Sequence, residues 1–468
     1  MSSIPEVKGI EKKDSSLILE SKDITLNNIL KNNKIKSFRK AFPTIEDSDF
    51  LKQVYYLQSN DKKIYHELKK AIGKNIKSVD SIRGVSTGYY EPNDYRKSGN
   101  PTHFELVKLP KALELYKNLP MLPIGVVELE SFDITHEDLK NKITYVAGSR
   151  NYDKVHGTAV AGLLGAESEN NIGIASISYK SKMFAITSGY NYQDDFVLQL
   201  AQQGYKQINC SWFNSCSFDG DVQDTLYRYI KNKLNCVVVF GAANKTSHCG
   251  SLSAKVYPAS LDHVISVSSV GHGAEYGYID PQYPRVGWKD VHNERANDPT
   301  TAHHHNDAVD IVAPGHNVPS TYNGGYGGAW GTSFAAPMVT GTVAVIRSIN
   351  PCLDAQQAID ILLNTADASI YNIEENKQYA GQLGKGRLDV YAAVLAACES
   401  AKVLLNNINI STSVYNSNYG IVTQGSVNIL QKGIFNSRNN FEVQGAFEVK
   451  DNSTIEIFVD PNLAVVCP

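Results

Sequence analysis

The sequence predicts an α/β protein: an open parallel sheet with helices on both faces, a small α+β segment before it and a β-rich tail after it. Three observations predict this. Between residues 120 and 400, short apolar runs alternate with helical stretches, the pattern of βαβ units. Ahead of them, Phe38, Phe42, Leu51, Val54, Tyr55, Tyr56 and Leu57 precede Glu67-Leu68-Lys69-Lys70-Ala71-Ile72, enough apolar patterning for a small module. After Cys398 the texture turns to strand alternation, as in Val427-Asn428-Ile429-Leu430 and Thr454-Ile455-Glu456-Ile457-Phe458-Val459, punctuated by Gly425, Gly433 and Gly445.

The elements follow in order. Residues 1–35 are rich in Lys, Asn and Ser and are expected to be flexible. Residues 36–90 form the α+β segment. Residues 91–119 read as a linker with a short helix around Leu109 to Tyr116. The main domain spans 120–400, and the β-rich domain, a few rungs of a solenoid or a small sandwich, spans 401–468. Within the main domain, Ile124 to Glu128 reads as the first strand, and Cys236-Val237-Val238-Val239-Phe240-Gly241-Ala242-Ala243-Asn244 as a buried strand with its turn. In open parallel sheets, sites gather at the carboxyl ends of strands, where Glu128 and Asn244 both fall.

At roughly 150 residues per domain, 468 residues suggest about three units, although one large α/β unit can absorb more. Lys and Arg number 45 against 48 Asp and Glu, a formal charge of -3. With no basic stripe, that balance argues against nucleic acid as a partner. No run approaches the ~18 apolar residues that would span a membrane. The start, Met1-Ser2-Ser3-Ile4-Pro5, has no apolar signal core, so the chain is cytoplasmic or lacks its export signal in this form. Seven cysteines are too few for a disulfide framework. Cys216 can pair with Cys249, and Cys352 with Cys398; the sequence establishes neither. His303-His304-His305 reads as a solvated loop, and no metal spacing is convincing.

The chemistry concentrates in a few motifs. Gly331-Thr332-Ser333-Phe334-Ala335-Ala336-Pro337-Met338-Val339-Thr340-Gly341 presents one serine at the entry to an apolar helix, with Pro337 expected in its first turn. A hydroxyl there is exposed and lies near unpaired N–H groups that can stabilise an oxyanion. Gly-Thr-Ser alone would be an ordinary helix cap. The full string resembles the nucleophile motif of the subtilase family of serine endopeptidases. His156-Gly157-Thr158-Ala159-Val160-Ala161-Gly162, a histidine heading a helix of very small residues, resembles the family's histidine motif. The strand ending at Asn244 resembles the one whose asparagine amide donates to the oxyanion. Chain order agrees, since subtilisin places acid, His and Ser in that sequence. Val309 to Gly315, Tyr257 to Ser260 and Gly384 to Val390 extend the resemblance over roughly residues 120–398. It implies a subtilisin-like doubly wound parallel sheet.

The acid departs from the family pattern, which has Asp followed by Thr-Gly or Ser-Gly. Here Ile124-Gly125-Val126-Val127-Glu128-Leu129-Glu130 stands in its place, and Asp133 to Leu139 resembles the segment that follows. Counting along the strand puts Glu128 in the acid position; counting back from His136-Glu137-Asp138-Leu139 puts Leu129 there. One inserted residue reconciles the two. A Glu can accept the imidazole N–H and stabilise the imidazolium, and the related sedolisin family also uses a Glu. Glu128 is therefore the expected acid and Glu130 the second choice.

The resemblance implies roles for further residues. Ser333 would attack a peptide carbonyl, His156 would take its proton, and Asn244 would hold the oxyanion. Ser211, Trp212, Gly241 and Ala242 would contact an extended substrate by strand addition. Asn209-Cys210-Ser211-Trp212-Phe213 stands where the family has a Ser-Leu-Gly-like stretch, and its two rings either wall an apolar pocket or pack into the core. Many subtilases bind calcium, so a structural calcium ion is compatible, although no Asp-rich loop suggests a ligand set; no other cofactor is expected. Residues 36–90 resemble an inhibitory propeptide, which would make the chain's own N-terminal segment its inhibitor; the alternative is a permanent accessory domain. The tail resembles attachment segments of extracellular bacterial enzymes, which points outside the cell or to its surface. The expectation is a secreted serine endopeptidase acting on proteins or peptides. The alternative is a catalytically inactive subtilase-fold module for peptide binding or surface attachment.

Overall fold

A computed structural model describes residues 7–13, 16–21, 24–32, 35–40, 55–59 and 63–70, then 90–99, 101–148, 153–189, 193–218, 221–273, 289–292, 302–438, 440–444, 446–449 and 453–459. The chain divides into two compact units, Met1–Gly88 and Tyr89–Pro468. In the first, β1 (Val7–Lys13), β2 (Ser16–Ser21), β3 (Ile35–Lys40) and β4 (Tyr55–Ser59) form an antiparallel sheet in that order. Helices α1 (Ile24–Asn32) and α2 (Lys63–Lys70) bury Leu30 and Ile64. Within the stretch expected to be flexible, Ser16-Leu17-Ile18-Leu19-Glu20-Ser21 is a strand, which the Lys- and Asn-rich surroundings obscure. Phe42, Leu51, Val54, Ala71 and Ile72, counted toward this module, lie outside the described residues.

In the second unit the expected linker is part of the core. Helices α3 (Thr102–Leu106) and α4 (Leu109–Tyr116) bury Phe104, Leu109, Leu113 and Tyr116 against the cluster that includes Val339, Val343 and Ile346. Apolar residues at helical spacing require such cover. The central sheet holds β5 (Ile124–Glu128), β6 (Ile143–Gly148), β7 (Met183–Thr187), β8 (Gln207–Cys210), β9 (Val237–Gly241), β10 (Ile265–Val270) and β11 (Ile311–Pro314). All pairs are parallel, in the order β11-β10-β9-β8-β5-β7-β6. Strands β5, β8, β9, β10 and β11 are buried throughout, as a sheet covered on both faces requires.

Helix α5 (Val155–Gly165) heads with the histidine motif, α6 (Gln193–Gln202) and α7 (Asp221–Asn232) follow on the sheet, and α8 (Thr246–Cys249) is one short turn. A hairpin, β12 (Val318–Tyr322) and β13 (Gly325–Ala329), leads into α9 (Thr332–Ile349), in which every residue but Ser333 is buried. An all-round apolar helix must run through a core, and α9 does so beneath the sheet. Helix α5 lies against β12, with Ser320 and Thr321 hydroxyls donating to the Ala159 and Thr158 carbonyls. Its small residues make this possible: a β-carbon on Gly162 would sit 2.3 Å from Thr321 Oγ1.

Helices α10 (Ala355–Asn364) and α11 (Val390–Ser400) close the unit ahead of the tail. There β14 (Val403–Ser417) and β15 (Gly420–Ser437) pair in parallel, and β16 (Asn440–Val443), β17 (Ala446–Val449) and β18 (Thr454–Val459) all pair in parallel with β15. Ser417 aligns with Ser437 and Gly420 with Asn440, so these are stacked coils of a solenoid, not a sandwich. Phe435, fully buried, sits among Tyr415, Phe441 and Phe447 inside it. Cys216 and Cys249 form a disulfide, whereas Cys398 is a free buried thiol and does not pair with Cys352.

Candidate active site

Strands β5 and β8 are neighbours in the sheet although β6 and β7 intervene in the chain. From β5 the chain builds out to one edge and then resumes on the other side. Their carboxyl ends therefore flank the point where strand order reverses, the usual crevice for a site. Glu128 ends β5 and Ser211 follows β8.

Glu128 is fully buried. Its Oε2 accepts from His156 Nδ1 at 2.9 Å, and its Oε1 accepts from the Ser211 N–H at 3.3 Å. A carboxylate only accepts, so the imidazole hydrogen sits on Nδ1 and Nε2 is left as a base. The His156 side chain is 30% exposed. Burial alone would lower its pKa; the charge and hydrogen bond of Glu128, with the charge of Glu130, outweigh this and raise it. Glu130 does not reach the ring by a hydrogen bond. Its Oε2 accepts the backbone N–H of His156 at 2.9 Å.

Ser333 is the second residue of α9, and the His156 ring lies 5.4 Å from that of the adjacent Phe334. The expectation that Pro337 lies in the first turn needs correction, since it is the sixth residue of the helix. Its place has a consequence. An N–H at 337 would bond to the Ser333 carbonyl, but proline has none. The Ser211 hydroxyl donates to that carbonyl instead, at 2.9 Å. In return the Ser333 hydroxyl donates to the Ser211 carbonyl at 3.4 Å. Ser211 thus touches both the carboxylate and the serine, and Asn209 holds it: Asn209 Nδ2 donates to Ser211 Oγ, and Thr340 Oγ1 to Asn209 Oδ1, both at 3.0 Å. The motifs in the sequence do not single out Asn209 for this role. A polar residue inside a buried strand is the signal that could have found it.

Asn244 follows β9. Its Oδ1 accepts the Thr332 N–H at 2.9 Å, which fixes the amide and leaves Nδ2 as donor at the start of α9. Gly331, at φ 138°, has a conformation open to glycine, and a β-carbon there would lie 3.4 Å from Asn244 Nδ2. Ala243, just before Asn244, also has positive φ, 78°, which costs a side chain energy.

Of the residues expected to contact substrate, Ser211, Trp212 and Ala242 are buried. Trp212 is 4% exposed, packs edge-on against Phe240 at 5.0 Å, and donates Nε1–H to the Val127 carbonyl. Its ring belongs to the core because both its apolar face and its N–H find partners there. Phe213 is half-buried beside His248. A β-carbon on Gly241 would sit 2.9 Å from Thr332 Oγ1, and Ala242 is buried with its N–H donated to the Val267 carbonyl. His303 and His304 are buried rather than solvated; His304 faces the Ala254 and Lys245 carbonyls.

Among the described residues no group of three or more His, Cys, Asp or Glu side chains is arranged for a metal ion. Asp94 and Asp138 are fully buried carboxylates. Asn170 Nδ2 and the Ile174 N–H donate to Asp138, and the Asn170 N–H donates to Asp94 Oδ2, while Asp94 Oδ1 has no hydrogen-bond partner among the described residues. Burial, with the nearby charges of Asp138 and Glu169, pushes Asp94 up to about 6.

The family model described as the subtilase family matches residues 111–386. Subtilisin DY of Bacillus licheniformis is 29% identical over 284 residues, covering 58% of this chain and 89% of that protein. The major intracellular serine protease of Bacillus subtilis (strain 168) is 30% identical over 266 residues, covering 52% and 75%. Among solved structures, a protease from Pseudoalteromonas arctica PAMC 21717 superposes with a TM-score of 0.50 at 21% identity, covering 65% of this chain and 99% of that one. A match over more than half the chain, on a seven-stranded parallel sheet of this order, settles the kinship. This protein belongs to the subtilase family.

Proposed function

We propose that the protein is a serine endopeptidase with a Ser333–His156–Glu128 triad. The observation that carries this is the buried Glu128 carboxylate 2.9 Å from His156 Nδ1. With Nδ1–H held, Nε2 takes the Ser333 proton as Oγ attacks the substrate carbonyl, then returns it to the leaving amine. Asn244 Nδ2 and the first-turn N–H of Ser333 hold the oxyanion. The substrate's extended backbone adds beside Ser211 to Phe213, with the Trp212 ring acting as support beneath rather than as a pocket wall.

The first unit, Met1–Gly88, acts in this reading as folding aid and temporary inhibitor. Release requires a cut near the unit boundary. Secretion or surface attachment through the solenoid tail completes the reading. No helix among the described residues is long and apolar enough to cross a membrane.

The second reading, a non-catalytic peptide-binding module, is favoured by one observation: the Ser333 hydroxyl bonds to Ser211, not to His156. Without substrate such bonds are often loose, which keeps catalysis the stronger reading. Fluorophosphonate labelling of the full chain and of material cut near residue 88, with Ser333→Ala as control, decides. Labelling that needs Ser333 supports the peptidase; none in either folded form selects the binding module.

A further inference from the structure

The start of α5 is held by two carboxylates besides the one on the imidazole. Asp153 Oδ1 accepts the N–H groups of Lys154 and Val155, at 2.6 and 3.2 Å, and Glu130 Oε2 accepts that of His156, at 2.9 Å. Three consecutive amides at the positive end of the helix are thus met by acidic side chains. The same stretch is clamped through its backbone. Ser131 donates its N–H to the Asp153 carbonyl at 2.7 Å, and a β-carbon on Gly157 would sit 2.4 Å from the Ser131 carbonyl oxygen. The Asp133 N–H donates to Thr158 Oγ1 at 2.8 Å. The residues after Glu128 are therefore built onto the helix that bears His156.

We propose that Glu130 is a positioning residue for His156: its carboxylate fixes the backbone of the histidine through the 2.9 Å bond and supplies a second negative charge that favours the imidazolium. This rests on the triad reading and adds a division of labour to it. Glu128 holds the ring, and Glu130 holds the main chain from which the ring projects. The raised pKa of His156, to which Glu130 contributes charge after Glu128, agrees with this. The other charged groups at this end of α5 are Asp153, Lys154 and Asp133. Asp153 bonds to Lys154 and Val155 and not to His156, so it is the natural control. Glu130 itself is half-buried, where its charge is less screened than at an open surface.

The test separates charge from hydrogen bond. Glu130→Gln keeps an acceptor for the His156 N–H and removes the charge; Glu130→Ala removes both. The pKa of His156 is read by NMR of the imidazole in full chains carrying Ser333→Ala, which needs no activity. With Glu130→Gln it should fall by about half a pH unit or more, while Asp153→Asn moves it less. In the protein with Ser333 intact, the acid limb of kcat/KM should shift down by the same amount. Glu130→Ala should lower kcat further with little change in KM, through looser placement of the ring. A His156 pKa unchanged in Glu130→Gln would reduce Glu130 to an ordinary helix cap and overturn the proposal. If the pKa moves but the intact protein hydrolyses nothing, the triad reading alone fails.

Discussion

Glu128→Gln keeps the shape of the side chain and removes its ability to accept two hydrogen bonds as an anion. Glu128 meets two donors, His156 Nδ1–H and the Ser211 N–H. Glutamine offers one oxygen and one NH2. If the oxygen stays with Ser211, the NH2 faces Nδ1 and drives the hydrogen to Nε2, leaving no base for Ser333. If the oxygen turns to Nδ1, the NH2 meets the Ser211 N–H, and two buried donors oppose each other at a cost of about 1–3 kcal/mol. The first arrangement should prevail, and a wrong tautomer of this kind costs roughly 10⁴-fold in kcat. Loss of the buried charge should also lower the pKa of His156. The assay is kcat and KM on a chromogenic peptide, with circular dichroism and the melting curve to establish folding. Glu128→Asp serves as the companion, since the shorter arm withdraws the carboxylate by about 1.5 Å and should give an intermediate loss. A folded Glu128→Gln protein that turns over within tenfold of the parent would refute the reasoning and move the acid role elsewhere.

Asn244→Ala should lower kcat by roughly 10²–10³-fold with KM little changed, because the amide is needed only as charge develops on the oxygen; equal loss in KM would contradict an oxyanion role. Ala243→Gly should raise the melting temperature slightly. It removes a β-carbon from φ 78°, worth roughly 1 kcal/mol, partly offset by the freedom glycine gains when unfolded; clear destabilisation would show that the turn is not strained. Asp94→Asn should stabilise the protein in EDTA near pH 7.5 by about 1–3 kcal/mol. The sign follows from a folded pKa raised to about 6 from 3.8: the unfolded chain loses its proton first as pH rises, so stability is lost between these values and the cost is complete above them. The advantage of Asp94→Asn should therefore vanish below pH ~4. Urea melts across pH measure it, and a variant that is less stable at pH 7.5 would show that the hydrogen bond from the Asn170 N–H outweighs the cost of the buried charge.

Ser211 joins the two halves of the site. Through its N–H it supports Glu128, and through its hydroxyl it occupies the carbonyl left unpaired by Pro337. This ties the helix of Ser333 to the strand of Glu128 through one residue. Asn209 and Thr340 extend the tie into the core, where satisfied polar networks hold geometry well.

The parts legible in the sequence were those whose chemistry is carried by a continuous stretch. A serine at a helix entry, a histidine heading small residues and an asparagine ending an apolar strand each announce themselves through local backbone pattern. The alternation of strands and helices likewise specifies a parallel sheet, because burial on both faces demands uninterrupted apolar runs. Other features depended on which distant segments meet. Glu128 and Glu130 are two residues apart, so strand periodicity puts both on one side and cannot separate them. Only the end of β5 at Glu128 and the docking of the next turn on α5 give one carboxylate the ring and the other the main chain. The ring of Trp212 and the imidazoles of His303 and His304 could face water or core by composition; the partners that settle them lie tens of residues away. The short helix α4 is legible in sequence, but its segment reads as a linker because the apolar face is covered by α11, far along the chain. Local sequence selects a backbone and a chemistry, whereas burial and pairing are decided by long-range packing, which no local pattern encodes.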